Sequence, residues 1–171
     1  YSWPFATWGI FTWAYHASDR WALEWFSSTR DVGLYAVIFQ LGYSFISRGT
    51  GLVMQFLEPI FYQKSGDGTD KNRLLIVAGL NMKLAMLMAA GICIIFVLTW
   101  IYHVRIFKIF VDQKYLCISY LLPWMILAGG IFAIAQTISL NILMQTKTHS
   151  LIAPKIITAL AGIALNLTGA Y

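Results

Sequence analysis

This chain is poor in charge. Asp, Glu, Lys and Arg make up 11% of its 171 residues, against about 25% in a soluble globular domain. A soluble chain of this length needs polar side chains over its surface, so a water-exposed globular fold is excluded. Side chains for reaction chemistry are scarce as well. His16, His103 and His149 show no metal-ligand spacing with one another or with cysteine. Cys93 and Cys117 form no CxxC pair, and Cys93 lies within an apolar run, where a thiol behaves as a small hydrophobe. Neither a Walker A nor a GxGxxG pattern occurs. The expectation is a protein without metal, cofactor, catalytic residue or enzymatic activity. Transport by such a chain would draw on an ion gradient or on the gradient of its own substrate.

What the chain does have is apolar and aromatic. Hydrophobic residues account for 59% of it, with 7 Trp, 9 Tyr and 11 Phe, a load suited to anchoring at bilayer interfaces. The formal net charge of +5 comes from basic residues scattered near segment ends. That placement fits cytoplasmic loops and anionic headgroups, and it argues against a nucleic-acid partner. The sequence opens at Tyr1 without an initiator Met, carries no signal-peptide architecture, and closes at Tyr171 inside an apolar segment. It is expected to be a piece of a longer polytopic protein.

A span of about 20 apolar residues crosses the hydrocarbon core, and five such segments can be marked, at 3–26, 32–62, 74–101, 115–144 and 151–171. The predicted fold is an all-α, multi-pass transmembrane helix bundle. Ser27 to Asp31 form a polar turn able to cap the second segment. The stretch 63–73, with Gly66, Gly68 and two Asp residues, reads as a cytoplasmic loop. The uncharged run 84–101 is the least ambiguous span. Residues 103–114 read as an interfacial connector, and 145–150 as a short polar loop. Gln136, Thr137, Ser139 and Asn141 are placed to hydrogen-bond neighbouring helices. With the first segment running outward, Lys64, Lys71, Arg73, Lys83, Lys147 and Lys155 lie inside and Arg30, Arg105, Lys108 and Lys114 outside, a weak positive-inside bias.

The second segment is the informative one. Gln40, Ser44, Arg48, Gly51, Gln55, Glu58 and Tyr62 recur at spacings of three and four and so share one helical face. Ile38, Leu41, Phe45, Val53, Phe56 and Ile60 occupy the other. Lipid does not solvate a polar stripe, which must face protein or a water-filled cavity. Arg48 falls near mid-span, where a charge costs at least ~2.5 kcal/mol and marks a substrate or ion path. The simpler explanation is a structural ion pair with Asp19 or Glu58. A guanidinium in a wet cavity also suits phosphate, which it grips through two parallel hydrogen bonds. In the first segment, His16 and Asp19 sit one turn apart, a spacing for proton relay or cation binding. Arg20 and Glu24 have the spacing of a surface pair. Lys155, Thr158, Gly162, Asn166 and Gly169 line one side of the fifth segment as a helix-packing surface.

Certain of these residues also resemble a family. Ser18-Asp19-Arg20-Trp21-Ala22-Leu23, followed by Asp31-Val32-Gly33-Leu34-Tyr35-Ala36, resembles the start of the second half of polysaccharide flippases. There a helix with an Asp-Arg pair leads through a short outer turn into a Val-Gly-x-Tyr helix start. The likeness continues through Glu58-Pro59, a charged linker, Ala153-Pro154-Lys155-Ile156-Ile157-Thr158 and Leu165-Asn166-Leu167, in order along nearly the whole chain. These are the lipid-linked oligosaccharide flippases of the multidrug/oligosaccharidyl-lipid/polysaccharide exporter superfamily.

The resemblance implies most of the C-terminal lobe of a two-lobe exporter in the bacterial inner membrane. Such a protein moves undecaprenyl-pyrophosphate-linked glycan by alternating access for surface polysaccharide synthesis. Its partners would be that lipid-linked substrate, membrane lipids and the polysaccharide assembly proteins. Combined with the stripe, it makes Arg48, Arg20, Gln40, Gln55 and Ser44 the substrate candidates and Asp19 and His16 the coupling candidates. A multidrug or small-cation exporter of the same superfamily would want acidic lumen residues instead, and Asp19 is the residue that favours it. An integral-membrane polysaccharide polymerase or sugar O-acyltransferase would want a catalytic residue on a large outer loop, and the sequence has no such loop.

Overall fold

In a computed structural model, the protein is described at residues 3–66, 68, 70–145 and 151–170. All regular structure among them is helical: α1 (Trp3–Phe26), α2 (Thr29–Phe39), a π-helical turn (Gln40–Ser44), α3 (Phe45–Ser65), α4 (Lys71–Phe110), a 3-10 segment (Gln113–Leu121), α5 (Leu122–Met144) and α6 (Ile152–Ala170). Lys71–Phe110, Gln113–Met144 and Ile152–Gly169 are long and apolar enough to cross a membrane. The chain is therefore read as membrane-spanning. α1 and α2–α3 have the length but carry too many polar residues to qualify by composition.

Two boundaries differ from the sequence expectation. The loop expected over 63–73 shrinks, because α3 runs on to Ser65 and α4 begins at Lys71. Gly66 takes φ 61° and its N–H bonds the Tyr62 carbonyl at 3.2 Å, closing α3 in a conformation that favours glycine. The Asp70 carboxylate accepts the N–H groups of Asn72 (2.9 Å) and Arg73 (3.4 Å) and so opens α4. The connector expected over 103–114 is instead helical to Phe110. Arg105 and Lys108 do not interrupt α4, since both straight-chain residues are good helix formers. Pro123 stands in the first turn of α5, where its missing N–H costs nothing. The expected loop at 145–150 lies outside the described residues except for Gln145, as does Tyr171.

The turn between α1 and α2 is a reciprocal cap. Ser28 Oγ accepts the Asp31 N–H at 3.3 Å, while the Asp31 carboxylate accepts the Ser28 N–H at 3.3 Å. The hydroxyls of Ser27 (2.7 Å) and Ser28 (2.6 Å) donate to the same carboxylate oxygen. These hydroxyls, foremost Ser27, hold the Asp31 carboxyl below its ordinary pKa.

The chain forms two compact units, Tyr1–Tyr35 with Thr146–Tyr171, and Ala36–Gln145. In the first, α1 packs along α6. Tyr15 lies over Gly162, and one turn further on Asn166 Nδ2 donates to Ser18 Oγ at 2.8 Å. Contact positions rise together along both helices, so α1 and α6 are parallel. An alternating five-segment path demands that relation of its first and last segments.

In the second unit, the π turn meets α5 backbone to backbone. A Cβ on Gly42 would lie 2.5 Å from Met125 Cβ, and one on Gly129 would lie 2.7 Å from the Tyr43 carbonyl oxygen. Above this crossing, Ile38, Ile46, Phe107, Leu122 and Ile126 form one apolar core. A second joins Met54, Phe61, Val77, Leu140 and Met144. Beside the second core sits a polar knot. Asn81, fully buried, donates from Nδ2 to the Thr137 carbonyl (2.7 Å) and to Asn141 Oδ1 (3.0 Å). Thr137 Oγ1 bonds the Ala133 carbonyl at 3.0 Å and touches the sulfurs of Met88 (3.5 Å) and Met54 (3.7 Å). Such amide bonds take the place of the hydrophobic effect, which is absent between helices in lipid.

Two outcomes test this packing. Gly129→Ala should lower the unfolding free energy in detergent by about 1–3 kcal/mol through overpacking, while Gly49→Ala, with open space around its Cβ, should not. At the cap, the depressed Asp31 pKa contributes stability that is complete above the unfolded carboxylate pKa and is lost as pH falls through the lower folded value. Amide exchange at the start of α2 should be faster in Asp31→Asn than in wild type at neutral pH. The two should converge once the pH drops below the ordinary carboxylate range.

Candidate functional site

The stripe predicted on the second segment survives in part. Gln40, Arg48, Gln55 and Tyr62 are exposed, Gly51 and Glu58 are half-buried, and Ser44 is buried. Ser44 leaves the face because of the π turn. Its wider winding advances the chain less per residue than an α-helix does, so by Ser44 the face has fallen back toward Tyr43, which lies on α5. Ser44 is thus buried beside the helix crossing, apart from the exposed candidates Gln40, Arg48 and Gln55. The apolar residues assigned to the opposite face divide between packing and exposure, with Ile38 buried. α3 packs through Ile46, Met54 and Phe61, while Phe45, Val53, Phe56 and Ile60 are exposed. One flank of the exposed arc of α3 is therefore apolar and the other carries Arg48 and Gln55.

Neither proposed partner of Arg48 forms an ion pair with it among the described residues, where ion pairs join Arg73 to Asp70 at 3.4 Å and Lys114 to Asp112 at 3.9 Å. The guanidinium stands exposed on the unit, with Gln55 two turns along and Gln40 two turns back. Planar donors of this kind, beside amides that both donate and accept, can take a phosphate with flanking sugar hydroxyls.

Asp19, His16 and Arg20 belong to the other unit. Asp19 Oδ2 accepts a short hydrogen bond from the Tyr35 hydroxyl, and its Oδ1 takes the Arg20 N–H at 2.8 Å. This ties α1 to the first turns of α2. The rings of His16 and Tyr15 lie 5.3 Å apart, and His16 is half-buried one turn from Asp19. Arg20 is exposed. Glu24 is also exposed, one turn along the helix from Arg20. The structure thus brings together Asp19, His16 and Tyr35. A half-buried carboxylate with a phenol donor beside an imidazole can hold a proton or a small cation.

Sequence reading missed Asn81, and it named Tyr35 only within the family-like helix start, without its partner Asp19. Asn81 is a lone polar residue near the start of α4, with no stripe to mark it. Of the residues expected to bond neighbouring helices, Asn141 does so through its side chain and Thr137 through its carbonyl, while Ser139 bonds Gln136 of its own helix. Among the described residues no cluster of three or more His, Cys, Asp or Glu is placed to hold a metal.

Tyr35→Phe should remove the donor to Asp19 and lower the unfolding free energy by roughly 1–2 kcal/mol, the range for a hydrogen bond within a membrane or to a charged acceptor. Titration with a denaturing detergent measures this, and an unchanged midpoint would show the bond to be idle. Compared with protein-family models, with curated proteins and with solved structures, the chain has no match.

Proposed function

We propose that the chain is the substrate-handling part of an exporter that moves an anionic, lipid-linked oligosaccharide across the bacterial inner membrane by alternating access. The reading goes with the sequence resemblance to oligosaccharide flippases. The observation that carries it is Arg48, an exposed guanidinium in the helix between two apolar stretches, with no carboxylate paired to it among the described residues. Lipid does not tolerate that charge, and water or an anionic headgroup does. In this reading Arg48 grips the pyrophosphate, Gln40 and Gln55 bind sugar hydroxyls, and Arg20, in the other unit, is a separate candidate contact. Asp19, held by Tyr35 and near His16, carries the coupling ion or proton. No step of the cycle requires a covalent intermediate, so the protein acts as a transporter and not as an enzyme.

A cysteine introduced at position 48, in a background with Cys93 and Cys117 replaced because both are exposed, should react with a membrane-impermeant thiol reagent. Protection by added lipid-linked glycan should follow. An inert thiol at that position beside a reactive loop control would remove the cavity. Arg48→Gln should slow glycan flipping by about 10- to 100-fold, the value of a charge-assisted hydrogen bond, and Arg48→Lys should restore part of it because charge returns without the planar fork. Normal surface polysaccharide in a strain lacking the parent gene would overturn the flippase reading.

A further inference from the structure

α4 is longer than a membrane requires. Its 40 residues extend to ~60 Å, twice the ~30 Å hydrocarbon core. The uncharged run 84–101 accounts for the core, and it ends in an aromatic cluster. Trp100 and Trp124 lie edge to face with centroids 5.6 Å apart, and Phe96 closes the triangle at 5.6 and 5.8 Å. Both indoles are about half exposed, at 53% and 52%. Indole rings at the end of an apolar run mark the boundary between acyl chains and headgroups.

Past that boundary the helix becomes cationic without ceasing to be apolar. Arg105 and Lys108 are exposed, and so are Ile109 (76%) and Phe110 (70%). The 3-10 segment folds back beside them, fixed by His103 Nδ1 to Ser119 Oγ at 3.0 Å and by Phe107 against Leu122. It adds Lys114, whose ammonium lies 5.0 Å from the Tyr115 ring centroid, while the Arg105 guanidinium lies 5.6 Å from that of Tyr102. From residue 84 to 144 the charged groups are these three cations and Asp112, which pairs with Lys114 at 3.9 Å. Water alone disfavours the exposed Ile109 and Phe110, and hydrocarbon disfavours the cations. The headgroup layer accommodates both, and the excess of positive charge selects its anionic members.

We infer that the end of α4, the 3-10 segment and the start of α5 form a headgroup site for an anionic phospholipid, in which Arg105, Lys108 and Lys114 meet the phosphate and Trp100 and Trp124 sit at the acyl boundary. The site is independent of the transport reading. Helix-dipole stabilisation by Lys108 is the competing explanation for one of the cations, and it predicts no preference among lipids.

The whole chain, in mixed micelles with equimolar phosphatidylglycerol and phosphatidylcholine, can be tested by native mass spectrometry for the lipids it retains. Wild type should retain phosphatidylglycerol several-fold over phosphatidylcholine. The triple variant R105Q/K108Q/K114Q should bring the ratio to parity. Lys71→Gln with Lys83→Gln, two cations elsewhere on α4, should keep the enrichment. If the triple variant is too unstable to purify, the single variants R105Q, K108Q and K114Q should each lower the ratio. Parity in wild type, enrichment unchanged in the charge variants, or equal loss in the Lys71/Lys83 control would overturn the site. So would a fall in melting temperature in pure phosphatidylcholine without a change in lipid ratio, which is the dipole outcome.

Discussion

At Gly42 and Gly129 the main chains of the π turn and of α5 come into direct contact, and a methyl group at either position would collide with the other helix. Much of the second unit follows from that approach. The extra residue in the π turn lets Gly42 reach α5, and the same extra residue rotates Ser44 inward while leaving Arg48 outside. Once the two helices are this close, Met54 and Leu140 can share a core. Thr137 then stands where Asn81 of α4 can reach its carbonyl. Removing the close approach would disturb the polar face and the polar knot together.

Between membrane helices, apolar contact is no better than contact with lipid, so association falls to close packing and to hydrogen bonds. Each unit contains both. Tyr15 over Gly162 and Asn166 on Ser18 join α1 to α6, and Tyr35 on Asp19 joins α1 to α2. Gly130 against Ile92 and Asn81 on Thr137 join α4 to α5. The polar residues of the chain therefore divide into two physical kinds. One kind has both partners on protein and holds helices together. The other, chiefly Arg48, Gln40 and Gln55, is exposed and available to something else.

What could be read from the sequence was what periodicity and local chemistry encode. The five segments, the Ser27–Asp31 cap and the bonding role of Thr137 and Asn141 all rest on neighbours within a few residues or on an apolar run. The π turn did not announce itself, because the helix it packs against, at Gly129, is distant in sequence. The burial of Ser44 beside that turn has no local period to record it. The extent of α4 was missed because Arg105 and Lys108 look like a loop signal when charge is scored, although both are good helix formers. Asn81 and the bond of Tyr35 to Asp19 were missed because a single polar residue has no period to detect, and its partner lies on another helix.

The tight connection through Gly66 and Asp70 has a consequence for membrane insertion. α3 holds an arginine and qualifies poorly as a membrane helix, whereas α4 follows it with an uncharged run long enough to span the bilayer. Separated by so few residues, the two would enter a bilayer together, the strongly apolar helix offsetting the cost of the weaker one. A charge costing at least ~2.5 kcal/mol on its own is thereby carried in by its neighbour. The cost of placing Arg48 within a bilayer would thus be shared with the apolar run of the next helix.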